Sequence, residues 1–260
     1  MNMTPYPDTF TFPLIALDET DSTSNYLARL CQESKAAEYT TVTAQYQSAG
    51  KGQRGNRWES APGENLLFSF LLRPTFLEAR RQFLLSQITA LSVKEELDAY
   101  TEGIRIKWPN DIYWQDRKIC GMLLENDLEG SRIGYCIAGI GININQDVFH
   151  SDAPNPVSLK QITGQRHAPA DILTGILSRV HYYYEQLRAK PEGEYPAKIA
   201  ARYRQALYRR EGYHPYRDAE GTFRARLTDV EPDGRFVLED ETGRIRKYLF
   251  KEVQYVLNET

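Results

Sequence analysis

With 260 residues, 41% of them hydrophobic, the chain can bury one large core, or a large and a small one. A net charge of −3 gives no reason to expect nucleic acid as a general partner, so any basic cluster is a local feature. Cys31, Cys120 and Cys136 lack C-x-x-C spacing and the four histidines are scattered, which argues against a zinc site or disulfide framework and fits a reducing cytoplasm. No charged start leads into an apolar run, and no apolar stretch nears ~20 residues, so neither a signal peptide nor a membrane span is expected.

In chain order, residues 12–17 read as a strand. Asp21 or Ser22 can cap a helix running to Cys31, with Tyr26, Leu27, Leu30 and Cys31 on one face. Residues 39–46 alternate as a strand does, and 66–72 form an apolar strand bounded by Asn65 and Pro74. Residues 78–100 read as a long helix with Phe83, Leu84, Ile88, Leu91 and Leu97 turned inward. Residues 104–107 are a strand that Pro109 ends, because proline cannot donate to a ladder. Residues 112–114 and 118–124 make a hairpin around Gln115-Asp116, 132–140 is a further strand, and helices are expected over 171–187 and 195–207. Strands then take over at 222–229, 235–239 and 245–250, joined by Pro232-Asp233-Gly234 and Glu241-Thr242-Gly243 turns. Helices and strands without regular βαβ alternation imply an α+β main domain over 1–207. The composition shift near Tyr208 sets off a small β-barrel over 208–260.

Chemistry concentrates in four places. In Gly50-Lys51-Gly52-Gln53-Arg54-Gly55-Asn56-Arg57-Trp58, three glycines alternate with three cations. Glycine permits close backbone approach to a ligand, and successive N–H groups in such a loop make an anion-binding concavity. The P-loop string is absent. The bare G-x-G-x-x-G spacing is present, but a turn-rich segment and then a strand follow it, so it is no dinucleotide fingerprint. The other places are Asp21-Ser22-Thr23-Ser24-Asn25, the run from Lys107-Trp108-Pro109-Asn110-Asp111 through Lys118 and Gly121, and Gly139-Ile140-Gly141-Ile142-Asn143.

Taken one by one, these residues have ordinary uses. Ser22 can simply cap a helix, Asn110-Asp111 can be turn chemistry, and Lys118 can be a solvated hairpin lysine. Trp58 and Trp108 can stack on a ligand ring, though core packing is the commoner use.

In this order, the four motifs resemble biotin protein ligases, which adenylate biotin and pass it to a lysine of a carrier domain. The resemblance covers nearly the whole chain. It implies a mixed-sheet catalytic domain of the class II synthetase-like biotin/lipoate ligase type, with an SH3-like barrel behind it. Biotin's ureido ring would meet Ser22, Thr23, Gln47 and either Ser24 or Asn25. Gly50, Lys51, Gly52, Gln53, Lys118 and Gly121 would complete the biotin site. ATP would meet Lys51, Arg54, Gly55, Trp58, Asn110, Asp111 and Lys118, with Asn143 reading adenine.

Lys118, Lys51 and Arg54 would carry catalysis by neutralising the repulsion between a carboxylate and a triphosphate. Mg2+ would come with ATP, held mostly by phosphate oxygens and water. The loop from Gly50, and residues 146–158 with Pro154 and Pro156, would order over the reactive adenylate. Gln53 and Asn56 stand where the family commonly has arginine, which loosens the phosphate assignments within that loop. The natural partner is the biotin carboxyl carrier domain of an acyl-CoA carboxylase. The stretch before Ser22 is too short for a DNA-binding helix-turn-helix, so no DNA partner is expected. The family includes monomers and homodimers. The alternatives are a lipoate- or octanoate-type ligase, which would need an apolar tunnel, and a non-catalytic biotin sensor.

Overall fold

A computed structural model describes residues 11–52, 56–150 and 155–257. Strand β1 (Leu14–Thr20), helix α1 (Thr23–Gln32) and strand β2 (Thr41–Gln47) open the fold, with β1 and β2 parallel. Strands β3 (Leu66–Leu72), β4 (Ile104–Lys107), β5 (Asp111–Trp114), β6 (Arg117–Glu129) and β7 (Arg132–Ile142) add antiparallel pairs. The result is a seven-stranded mixed sheet in the order β1-β2-β3-β7-β6-β5-β4.

The sheet has two unequal faces. Leu66, Phe68, Phe70 and Leu72 of β3 join the large core. Leu71 turns the other way and meets Leu27 of α1 with Val42 and Ile137 in a small core. The period of two along a strand produces this division. It leaves most of the second face for something other than packing.

Helices cover the first face. The central one, α2 (Phe83–Leu97), is buried nearly all round. Its polar side chains turn back on the helix: Thr89 Oγ1 and Ser92 Oγ donate to Leu85 O and Ile88 O, each at 2.7 Å. The helix is shorter than the expected 78–100. Glu78 is extended because it bridges Arg132, and a single 3₁₀ turn at Ala79–Arg81 follows.

Helix α3 (Leu159–Thr163) was not expected, since five residues carry no readable period. It is held by a Ser158/Gln161 capping box and by Gly164 at φ 78°. Helices α4 (Pro169–Ala189) and α5 (Glu194–Gln205) pack against α2.

The remaining strands are β8 (His214–Asp218), β9 (Gly221–Val230), β10 (Phe236–Asp240), β11 (Ile245–Tyr248) and β12 (Gln254–Tyr255). They form a separate antiparallel sheet, in the order β11-β10-β9-β8-β12. Two of its five strands escaped sequence reading: β8 contains Pro215, and β12 is only two residues long. Trp108 joins the two sheets. Its indole stacks on Phe236 at 4.9 Å, and its Nε1 donates to Gly234 O at 2.9 Å. Among the described residues, no helix is long and apolar enough to cross a membrane.

Candidate active site

The second face of the large sheet opens into a cavity of about 770 Å³, within the range that holds small-molecule ligands. Its floor follows from strand register. Gly141 of β7 stands opposite Gly121 of β6, which stands opposite Asp111 of β5. The next row pairs Ser69, Gly139 and Leu123. Glycine is required here for room. A Cβ on Gly139 would lie 2.3 Å from Ser24 Oγ, and one on Gly141 would lie 2.4 Å from the Trp58 ring.

One end of the cavity is a hydroxyl cluster at the start of α1. Ser22 occupies the cap position, yet its side chain makes no capping bond; it lines the cavity instead. Thr23 N and Oγ1 both donate to Gln47 Oε1, at 2.7 and 3.0 Å. Ser69 Oγ lies 2.8 Å from Thr23 Oγ1 and 2.9 Å from Ser24 Oγ. Ser24 is therefore in the cavity wall. Asn25 is not: one residue further round the helix it faces outward, and its Nδ2 donates to Asp21 Oδ2 at 2.8 Å. Its expected place in the biotin site is withdrawn on that geometry. Ser69, the one polar residue in the apolar run Leu66–Leu72, is fully buried behind this cluster, a supporting position that sequence reading missed.

The charged end depends on a bulge. Between β5 and β6 the register shifts, so that Ile112 faces Cys120 but Tyr113 faces Lys118. The additional residue, Ile119, turns Lys118 onto the same face as Gly121. A Cβ on Gly121 would lie 3.3 Å from Lys118 Nζ. Lys118 is no solvated hairpin lysine: its Nζ pairs with Asp111 Oδ1 at 2.7 Å and lies 5.9 Å from the Trp58 ring centroid. Asn110 Nδ2 donates to Met122 O, tying the Pro109 turn to β6. Asn143 is buried in the wall and donates from Nδ2 to Val157 O at 3.2 Å. Lys107 also lines the cavity, a position to which sequence reading gave no role. Burial lowers its pKa and Lys118 adds to the fall, while Asp111 opposes it.

The glycine/basic loop closes on itself like a hairpin. Lys51 bridges Arg57, Gly52 N donates to Asn56 O at 2.7 Å, and Trp58 N donates to Gly50 O at 3.0 Å. A Cβ on Gly50 would sit 2.6 Å from Trp58 O. Lys51 lines the same cavity as Lys118, with Nζ 3.5 Å from Glu125 Oε1. Trp58 lies over Gly121 and Gly141, and its buried Nε1 has no hydrogen-bond partner among the described residues. Gln53, Arg54 and Gly55, expected to meet biotin and ATP, lie outside the described residues, as does Pro154. Phe149 and Pro156 of the expected covering segment line the cavity. That segment is pinned to β6 by Lys118 N to Asn155 O and Val157 N to Lys118 O, both 2.9 Å.

Comparison with known proteins agrees with this architecture. Residues 16–143 match the Biotin/lipoate A/B protein ligase family. The chain is 29% identical over 250 residues to the Bifunctional ligase/repressor BirA of Bacillus spizizenii, covering 92% of this chain and 71% of that protein. Its matches to three further bifunctional ligase/repressors span less than half of their lengths. It is 31% identical over 166 residues to the Biotin--[acetyl-CoA-carboxylase] ligase of Paracoccus denitrificans, covering 60% of this chain and 67% of that one. The structure of the Aquifex aeolicus biotin protein ligase in complex with biotin and ATP superposes with a TM-score of 0.76 at 29% identity, covering 95% of this chain and 100% of that one. The family model, a relative matched over two thirds of its length and a superposing structure agree, and the chain belongs to the biotin/lipoate A/B protein ligase family.

Proposed function

We infer that this protein is an ATP-dependent biotin ligase that works through biotinyl-5'-AMP. The observation that carries the reading is the convergence of Lys51, Lys118 and the Ser22–Ser24/Gln47 cluster on one cavity. In the first step a biotin carboxylate oxygen attacks the α-phosphorus of ATP. The bond to the β-phosphate oxygen breaks and pyrophosphate leaves. Two anions must meet, and cations preorganised at the meeting point lower that barrier. Lys118 is the group we assign to it, held in place by Asp111; Lys51 approaches from the loop.

The hydroxyls of Thr23 and Ser24, with the Gln47 amide, offer both donors and acceptors to a ureido ring. Asn143 and Trp58 are assigned to the nucleotide. Magnesium enters with ATP as part of the substrate. In this reading the nucleotide's own oxygens and water carry most of the ion's coordination.

In the second step a neutral lysine amine of a biotin carboxyl carrier domain attacks the acyl carbon, AMP leaves, and the amine's proton passes to solvent. We assign the carrier to an acyl-CoA carboxylase, in keeping with the name of the Paracoccus relative.

Pyrophosphate release tests the reading. With ATP and magnesium, biotin should support release and lipoate should not. Release with lipoate alone would favour the lipoate-type alternative; biotin binding without release would favour a sensor.

A further inference from the structure

Gln47, Thr23, Ser69 and Ser24 form one chain of hydrogen bonds, and its direction is fixed from one terminus. Thr23 N can only donate, so the Gln47 atom 2.7 Å from it is the amide oxygen. That turns Gln47 Nε2 the other way, beside Gly50, where a Cβ would lie 3.2 Å from it. An amide oxygen can only accept, so the Thr23 hydroxyl gives its one proton to Gln47 Oε1, at 3.0 Å. Thr23 Oγ1 then has no proton left for Ser69 Oγ, 2.8 Å away, and Ser69 must donate to it. By the same count Ser24 must donate to Ser69 Oγ, at 2.9 Å.

Ser69 lies fully buried behind the wall, while Thr23, Ser24 and Gln47 line the cavity. A free serine hydroxyl turns to donate or accept as its partner requires. Ser24 has lost that choice. Its oxygen stands over the floor, 2.3 Å from where a Cβ on Gly139 would lie, and its proton is committed to Ser69. The cavity therefore meets an acceptor alone at Ser24 Oγ and a donor alone at Gln47 Nε2. A cyclic urea has the complementary pair: its carbonyl accepts and its ring N–H groups donate.

We propose that Ser69 is a positioning residue: by taking the Ser24 proton it makes Ser24 Oγ a fixed acceptor, so that the site selects a ring N–H and rejects a ring oxygen at that place. This deepens the ligase reading above and rests on it.

Three proteins and three ligands decide it. The proteins are the wild type, Ser69→Ala and Thr23→Val. The ligands are biotin and the two cyclic carbamate analogues in which one or the other ureido N–H is replaced by oxygen. Each Kd is measured calorimetrically without ATP, and each analogue is compared with biotin in the same protein. In the wild type at least one analogue should bind about thirtyfold more weakly than biotin, because two oxygens then face each other with no proton between them. In Ser69→Ala the Ser24 proton is free to turn to that oxygen, and the same ratio should fall to about fivefold. Thr23→Val keeps the backbone N–H on Gln47 but releases the Ser69 proton towards Ser24, so the ratio should narrow there as well. A hydroxyl that merely packs the wall would weaken all three ligands alike and leave the ratios unchanged. Unchanged ratios in a folded Ser69→Ala overturn the inference, and so do unchanged ratios in Thr23→Val should the alanine variant not fold. A wild type that binds both analogues as it binds biotin also overturns it. The ligase reading survives these results as long as the wild type releases pyrophosphate with biotin; a wild type that binds no biotin ends both.

Discussion

Lys118 is more than a positive charge near a cavity. Its ammonium is fixed by Asp111 at 2.7 Å and flanked by the Trp58 ring, so in the proposed ligase little reorganisation is needed when a carboxylate and a phosphate arrive. Removing such a preorganised contact costs roughly 3–4 kcal/mol of barrier. Lys118→Ala should therefore slow pyrophosphate release by at least about tenfold, with the melting temperature little changed. A rate near the wild-type value would remove the role given to this lysine. The motif around Lys118 was legible because Trp-Pro-Asn-Asp followed by a hairpin is a dense local string. Ser69 and Lys107 were not legible in the same way. Their surroundings come from elements distant in sequence, the hydroxyls of Thr23 and Ser24 on α1 for one and the Tyr255 ring of the small sheet for the other. Asn25 is displaced for a related reason: a step of one residue on a helix turns a side chain through about a hundred degrees, from the cavity to Asp21.

Among the elements, the β6 bulge and Trp108 do most to place the site. Without Ile119 as an additional residue, alternation would put Lys118 and Gly121 on opposite faces. No period in the sequence marks that bulge. The strands themselves were legible, because β3 and β7 carry apolar runs and β4 alternates apolar and charged residues before Pro109. The ends of α2 and the existence of α3, β8 and β12 were not, since a cross-strand bridge, a capping box and a sheet partner determine them. Trp108 sits inside a motif assigned to chemistry, yet it is 4% exposed and stacks on Phe236 across the sheet junction. Trp108→Ala should cost about 3–5 kcal/mol and lower the melting temperature by on the order of 10 °C. Trp108→Phe should recover most of that loss, failing only in the bond to Gly234. Calorimetry on the two variants separates packing from chemistry.

At the scale of the whole molecule, acid sensitivity follows from burial. His167 and His181 both have pKa values lowered by burial, so the folded chain prefers each ring neutral. A histidine lowered in the folded state contributes stability above its unfolded pKa and loses it as pH falls. The melting temperature should therefore drop as pH moves from about 6.5 towards 5.5. Replacing both histidines with glutamine should flatten that slope; an equally steep fall in the double variant would place the effect elsewhere. A separate small β unit after the α+β part was readable from composition and turn spacing, and the mixed sheet followed from the family resemblance. That Phe250, beyond β11, lines the cavity was not, because it depends on how two sheets meet. The floor of that cavity has one more property. Its successive landmarks are strands of a single sheet, so their separations are quantised by the hydrogen-bonding ladder and cannot drift with side-chain motion. An acid whose tail is longer or shorter by two methylenes, about 2.5 Å, presents its carboxylate between landmarks rather than at one. In the proposed ligase the sheet would then measure its substrate as a ruler does, with selectivity for tail length expected from backbone spacing.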